Sequence, residues 1–352
     1  MNIKIISSGS YIPPAKVQNE AFANHVFMDS GGAPLTSPIQ TIIQTFEGIT
    51  GIKERRYIDD DLVTSDIAYL ASQKAIDDSG IDPESLDYII LAHNFGDVVH
   101  GKGQTDMVPS LASRVKHKLK IKNAKCVAYD VIFGCPGWIE GMLQANALIK
   151  SGMAKRCLVV GAETLSRVTD PHDRDSMIYA DGAGAVVVEG TTGNEGLLSY
   201  ESASYTDDAN EFLCIGKSYN QHMPGERLYL KMYGRKIYEF ALNHVPDAMK
   251  SCLDKSGIPI HEVKKILIHQ ANSKMDEAIL QRFYKLYDAL PAEGVMPLSI
   301  GKLGNSSVAT VPTLYDLIVK GELENQELQK GDIVLFASVG AGMNINAFTY
   351  RM

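Results

Sequence analysis

The chain contains no CxxC pair, no HExxH and no glycine-rich phosphate loop. Those absences speak against a structural zinc site and a nucleoside-triphosphate site, and no metal ligand is assigned. Long apolar runs are missing as well. Nothing approaches the ~18 residues of a membrane span. The opening Met-Asn-Ile-Lys-Ile-Ile reads directly as a strand, without the layout of a secretory leader, so no membrane association is expected. Positive charge is in deficit: 34 Lys and Arg against 42 Asp and Glu give a net charge of −8, which argues against a general nucleic-acid binder. The five cysteines (126, 135, 157, 214 and 252) show no disulfide-framework spacing and fit a reducing, cytoplasmic location. What remains is ordinary globular material, 45% hydrophobic and 22% charged over 352 residues, enough for two domains or one large duplicated unit.

Duplication is the better description. Residues 76–91 (IDDSGIDPESLDYIIL) and 253–268 (LDKSGIPIHEVKKILI) both run from a helix end through Ser-Gly-Ile into an apolar strand. Residues 134–150 and 304–320 repeat a second pattern, Gly-Cys or Gly-Asn followed by a helix, and each leads into another apolar strand. The two pairs occur in the same order at nearly the same separation. The short apolar strands lie between amphipathic helices, which predicts two similar α/β halves with buried sheets. The polar stretch Glu189–Glu195 marks the boundary, giving halves 1–190 and 191–352. Under this duplication Cys135 matches Asn305, and Ala92 matches His269. A binding site between the halves follows naturally.

Cys135 stands in Val-Ile-Phe-Gly-Cys-Pro-Gly-Trp (131–138), where an apolar run stops and a helical pattern begins. A thiol at a helix N-terminus feels unpaired amides and the positive end of the dipole. Such cysteines can have pKa values lowered to about 3.5–7.5, which makes them nucleophiles. The alternative is a small buried hydrophobe, the reading given to Cys126, Cys157 and Cys252. His269 ends the strand Lys-Ile-Leu-Ile and is either catalytic or a satisfied core histidine. Asn305, in Gly-Asn-Ser-Ser, is either a site residue or a helix N-cap. Ser-Val-Gly-Ala-Gly-Met (338–343) is a tight turn whose amides are also placed to hold an oxyanion.

An ordered set of motifs spans nearly the whole chain. It comprises Thr-Gly-Ile-Lys-Glu-Arg-Arg-Tyr (50–57), Thr-Ser-Asp-Ile-Ala (64–68), Gly-Cys-Pro-Gly (134–137) and Asp-Pro-His-Asp-Arg (170–174). It continues with Asp-Gly-Ala-Gly-Ala (181–185), His-Gln-Ala-Asn (269–272), Gly-Asn-Ser-Ser (304–307) and Gly-Ala-Gly (340–342). In these the chain resembles the thiolase-fold condensing enzymes, specifically the β-ketoacyl-acyl-carrier-protein synthase III family. The resemblance implies an α/β thiolase-like duplicated αβαβα fold and a triad of Cys135, His269 and Asn305. It implies backbone amides of Cys135 and Ala341 as the oxyanion hole, and Asn272 in support. The implied reaction is acyl transfer from a thioester to Cys135, then decarboxylative Claisen condensation with a malonyl-type thioester. Acyl-CoA or acyl carrier protein would be the partner, no metal or redox cofactor would be needed, and the enzyme would be a homodimer in fatty acid or specialised biosynthesis. Transfer to an oxygen or nitrogen acceptor, or a non-catalytic partner subunit, are the alternatives.

Some positions depart from the family. A tryptophan that stacks on the adenine of coenzyme A is replaced by Thr45, and a nearby arginine by Ile49, whereas Arg174 matches the arginine on the other side of the adenine. A carrier-bound donor is therefore expected. Lys274 falls where the family docks the acidic carrier. The basic run Arg114–Lys122 is either a steering patch or a solvated helix face. Residues 27–45 and 93–125 are longer than the family norm, which implies either an altered acyl pocket or surface loops.

Overall fold

A computed structural model describes residues 2–352. The first half builds a five-stranded sheet from β1 (Asn2–Tyr11), β2 (Tyr88–Ala92), β3 (Val127–Val131), β4 (Arg156–Thr164) and β5 (Asp181–Thr191), in the order β1-β5-β4-β2-β3. The second half builds a four-stranded sheet from β6 (Gly196–Ser204), β7 (Val263–Ile268), β8 (Ile333–Gly340) and β9 (Asn344–Arg351), in the order β6-β9-β8-β7. The orders correspond strand for strand, except that β3 has no counterpart. Ile266 N donates instead to Val295 O at 2.7 Å, so a loop occupies that edge.

The pairing repeats in detail. Parallel β2–β4 sets Ile89 against Leu158, and parallel β7–β8 sets Ile266 against Leu335. Side chains alternate between faces along each strand. Ile90 and Ala92 point into the central core, as does Leu267, the residue two before His269. Ala92 and His269 therefore occupy matching positions, one ending its strand with a methyl and the other followed by an imidazole at the same height.

Helices α1 (Thr64–Ser79) and α2 (Leu111–Lys118) cover the outer face of the first sheet. Helix α3 (Gly137–Lys150) lies between the sheets. Helices α4 (Gly234–Ser256) and α5 (Ser273–Lys285) cover the outer face of the second, and α6 (Thr310–Val319) joins α3 in the middle layer. The result is five layers, α-β-α-β-α. Trp138, Phe336 and Phe348 pack together at the centre, with Phe336 stacked on Phe348 at 4.4 Å between centroids. No helix among the described residues is long and apolar enough to cross a membrane.

The chain leaves the first sheet at Thr191 and enters the second at Gly196. The halves are interlocked all the same. A hairpin of the second half, Leu213–Gly216 with Tyr229–Met232, lies over the first: Leu230 N donates to Val168 O at 2.8 Å. Buried Lys231 bridges Asp170 (2.5 Å) and Asp173 (3.2 Å). These two carboxylates belong to the Asp-Pro-His-Asp-Arg motif, so both of its acidic residues clamp the hairpin.

One close approach fixes the middle layer. A Cβ on Gly161 would lie 2.3 Å from Val308 O, a main-chain atom just before α6. Only glycine lets β4 and this turn meet. Gly161→Ala is expected to destabilise the protein by about 1–3 kcal/mol or more, the usual cost of overpacking. Urea denaturation would show a lower midpoint with an unchanged slope; an unchanged midpoint would mean that the contact yields freely.

Candidate active site

The site forms where the ends of matching elements converge. Gly134 adopts φ 67°, and the amide of Gly137 closes a turn on its carbonyl at 3.0 Å. Regular helix begins at Gly137, with Pro136 already in helical backbone, so Cys135 sits just ahead of the first turn. From the other half, the end of β8 presses against it: a Cβ on Gly340 would stand 2.4 Å from Cys135 N. This contact brings the Cys135 and Ala341 main chains side by side at the cavity wall.

Asn305 is pinned by its backbone. Its N–H donates to Ile178 O (3.0 Å), and its carbonyl accepts from Ala180 N (2.8 Å). Its side-chain Oδ1 accepts from Ser307 N at 2.8 Å, leaving Nδ2 as the group free to meet a ligand. The N-cap reading of Asn305 is not what is found. A 3-10 turn, Ser307–Ala309, intervenes, and α6 begins only at Thr310. Ser307 carries the unusual φ of 53°, which breaks the simple equivalence between Cys135 and Asn305.

His269 follows β7 and donates its N–H to Ala337 O at 2.9 Å. Its ring is buried, with no partner for Nδ1. Burial pulls its pKa down to about 4, against a main-chain hydrogen bond with Ser307 that favours the charged ring. The imidazole is therefore neutral at physiological pH.

Cys135 corrects the sequence-based expectation of a lowered pKa. It is exposed to a cavity rather than to bulk water, and burial pushes the thiol up to about 11. A hydrogen bond from Ser307 Oγ, at 3.4 Å, works the other way, and the carboxyl of Glu163 adds to the rise. Desolvation is the largest influence on the sulfur, which lies ahead of the first helical turn at Gly137. The resting pair is thus neutral thiol and neutral imidazole.

Cys135, His269 and Asn305 line one cavity of about 360 Å³, together with Ser307 and Ala341. Leu165, Leu213, Ile215, Leu230 and Met232 give it apolar walls, mostly from the clamped hairpin. Asn94 and Phe95, from the first long segment after β2, also reach it. Ser307 and Asn94 were missed in the sequence. The second serine of Gly-Asn-Ser-Ser was in view, but nothing in the sequence gives its left-handed backbone.

A second cavity of about 580 Å³ shares Met232, Ile237, Ala271 and Met275 with the first. Thr45, Ile49, Arg174 and Asn272 line it. The Asn272 Oδ1 accepts from Met275 N at 3.2 Å and caps α5, so this residue stands in the neighbouring groove, outside the triad cavity. Arg174 is largely exposed and only loosely paired with Asp175, at 3.8 Å. The groove is more acidic than its arginines suggest: Asp29, Asp173 and Asp175 face Arg174 and Arg235. Lys274 is exposed on the first turn of α5 and makes no ion pair among the described residues. The basic run 114–122 is largely spent internally: Arg114 binds Asp97 and Asp106 (2.7 Å each), Lys118 binds Asp66 (2.6 Å), and Lys116 caps the carbonyls of Asn123 and Cys126. Carboxylates thus pair Arg114 and Lys118, while Lys116 bonds neutral carbonyls and Lys120 and Lys122 stay exposed to solvent.

Comparison with known proteins gives a consistent result. Residues 129–206 match the family described as 3-oxoacyl-[acyl-carrier-protein (ACP)] synthase III, and residues 253–352 match its C-terminal part. The β-ketoacyl-[acyl-carrier-protein] synthase III of Staphylococcus aureus (strain JH1) is 31% identical over 352 residues, covering 100% of this chain and 99% of the relative. The crystal structure of 3-oxoacyl-[acyl-carrier-protein] synthase III from Aquifex aeolicus VF5 superposes with TM-score 0.80 at 28% identity, over 99% of this chain and 100% of the other. The priming β-ketosynthase of the R1128 polyketide pathway superposes with TM-score 0.81 over 100% and 96%; at 23% identity it shows the fold alone.

The raised thiol pKa has a direct consequence. Alkylation of Cys135 by iodoacetamide in the free enzyme should accelerate about tenfold per pH unit from pH 7 to pH 9, following the thiolate fraction. A rate that levels off near pH 7 would show a preformed thiolate instead.

Proposed function

Because the chain belongs to the 3-oxoacyl-[acyl-carrier-protein] synthase III family of condensing acyltransferases, we propose that Cys135 carries the acyl group and that His269 and Asn305 run the condensation. One observation carries this reading: these three side chains, from two interlocked halves, line a single apolar cavity.

In the first half-reaction the Cys135 thiol passes its proton to the His269 ring as sulfur attacks the thioester carbon. The amides of Cys135 and Ala341 hold the oxyanion. The carbon–sulfur bond to the donor breaks, and the departing thiolate takes the proton back from the imidazolium. His269 is neutral again for the second half-reaction. A malonyl thioester then loses carbon dioxide, and the electron pair of that bond becomes an enolate. The free Asn305 Nδ2 is suited to hydrogen-bond the enolate oxygen, joined by the neutral imidazole in the tautomer that carries its one proton on the cavity-facing nitrogen. A ring whose pKa lies near 4 keeps its role as neutral donor throughout the physiological range. The enolate carbon attacks the acyl-cysteine, and collapse of the tetrahedral centre releases the 3-oxoacyl thioester and the Cys135 thiolate, which takes one proton from solvent. In this reading side chains and thioesters suffice, without a metal or redox cofactor.

The apolar walls favour an acyl primer larger than acetyl. Thr45 and Ile49 offer no stacking surface for an adenine. Asp29 and Asp175 in the groove offset its two arginines, while Asp173 is taken up by Lys231, so the groove offers little net attraction for the phosphates of free coenzyme A; burial and the neighbouring Asp173 push Asp175 up to about 6. The donor is therefore read as carrier-bound, with Lys274 meeting the acidic carrier protein. A homodimer in the cytoplasm, serving fatty acid or polyketide-like synthesis, completes the reading.

With carboxyl-labelled malonyl thioester, release of carbon dioxide should depend on the acyl donor and match ketone formation one for one. The same acyl chain should react faster from a carrier protein than from coenzyme A; a strong preference for acyl-CoA would overturn the donor assignment. Asn305→Ala should lower condensation by about 10²–10³-fold, the usual effect of losing one oxyanion donor, with acylation of Cys135 retained. Loss of acylation to the same degree would refute the division of labour.

A further inference from the structure

Behind Cys135 runs a buried polar chain that the half-reactions above do not use. Glu163, at the end of β4, is fully buried. Its Oε2 accepts from Asn94 N (3.0 Å) and from Asn94 Nδ2 (2.7 Å). The same Nδ2 donates to Ser307 Oγ at 3.1 Å, and Ser307 Oγ reaches Cys135 Sγ at 3.4 Å. Four side chains from both halves are thus linked in one line that ends on the sulfur.

The direction of this line follows from counting protons. A carboxylate has acceptors only, so Asn94 must turn its NH₂ end toward Glu163. The flipped amide would bring its oxygen against the carboxyl oxygen. An NH₂ group has two protons: one goes to Glu163, the other to Ser307. A hydroxyl has a single proton, and Ser307, already receiving one from Asn94, sends its own to Cys135. Without Asn94 the hydroxyl is free to rotate and accept from the thiol instead. A hydrogen bond donated to sulfur favours the thiolate over the thiol, the state that acylation needs.

We propose that Asn94, clamped by the buried carboxyl of Glu163, is a positioning residue for acylation: it fixes the Ser307 hydroxyl as a donor to the Cys135 sulfur. No proton passes along the chain; only hydrogen-bond polarity does. The clamp works whether Glu163 is ionised or protonated on Oε1, since Oε1 has no partner and Oε2 accepts in both states. Burial holds Glu163 up to about 7, which limits the negative charge it adds near the sulfur. The other titratable groups facing this region are the neutral His269 ring, the Tyr179 phenol and the Cys214 thiol (both pushed up by burial) and His93 beside Glu163. His93 is itself engaged by Asp130 at 3.0 Å and by Gly96 N at 3.0 Å. The assignment rests on Cys135 being the nucleophile.

The test is the pH dependence of Cys135 alkylation by iodoacetamide in the full-length protein, compared between wild type, Asn94→Ala, Ser307→Ala and the double variant. Ser307→Ala should displace the log rate against pH line downward by about tenfold or more at each pH below the midpoint, the usual worth of a hydrogen bond to a charged group. Asn94→Ala should displace it in the same direction by less, because the hydroxyl remains but is no longer held as a donor, and the double variant should fall no further than Ser307→Ala, because both act through one bond. Acylation by a thioester should fall much more than malonyl decarboxylation, a split that general distortion of the cavity would not produce. Glu163→Gln, which keeps an oxygen for Asn94 and removes the carboxylate charge that raises the thiol, should lie on or above the wild-type line, whereas Glu163→Leu, which removes the same charge but also the clamp, should fall below Glu163→Gln; this pair reads the clamp even if Asn94→Ala does not fold. An unmoved line in Asn94→Ala, or additive losses in the double variant, would overturn the inference while leaving Cys135 as nucleophile. Absence of any labelling at Cys135 in the wild type would instead overturn the reading on which it rests.

Discussion

Desolvation of one sulfur atom governs this molecule. Cys135 lies in a cavity between two sheets, where burial makes a lone thiolate costly and a lone imidazolium equally so. In the proposed mechanism, charge is therefore generated only when a substrate arrives to share it. The site compensates with neutral donors in fixed positions: the Ser307 hydroxyl, the Asn305 amide and backbone N–H groups. Donors that do not reorganise during the reaction are the most effective kind in a dry cavity.

Those positions are held by backbone contacts that admit little variation. Asn305 is tied on both sides to the Ile178–Ala180 main chain, and that segment is held in turn by Arg55. Fully buried, Arg55 donates to Met177 O (3.0 Å), Val17 O (2.9 Å) and Asn19 Oδ1 (2.6 Å). Its partners are neutral oxygens, and burial lowers its pKa accordingly. Gly161 against Val308, and Gly340 against Cys135, let the halves approach at the two places where a side chain would separate them. The hairpin that walls the cavity is fastened by Lys231 to Asp170 and Asp173, so substrate contacts made by the second half depend on an ion cluster with the first.

Much of this is legible in the sequence. The internal repeat implies two matching sheets, because apolar strand patterns and helix ends survive divergence when both faces of a strand are buried. The strand-end position of His269 and the Gly-Cys and Gly-Asn pairs identify the converging corners. The thiol's pKa is not legible there, because a helix start is local while desolvation is a property of the assembled cavity. The sequence leaves Asn305 open to an N-cap reading because a left-handed serine leaves no mark in composition or periodicity. Arg114–Lys122 reads as a charge run, yet its partners Asp66, Asp97 and Asp106 are brought to it only by folding. The link from Glu163 to Cys135 joins residues from four separate segments and is invisible in one dimension.

Peptide-mapped mass spectrometry after brief exposure to an acyl thioester tests the central claim most directly. The account predicts one acyl group, attached to Cys135, that is discharged when a malonyl thioester is added. An acyl group on another residue, such as Cys214 on the cavity wall, or turnover with Cys135 unmodified throughout, would contradict it.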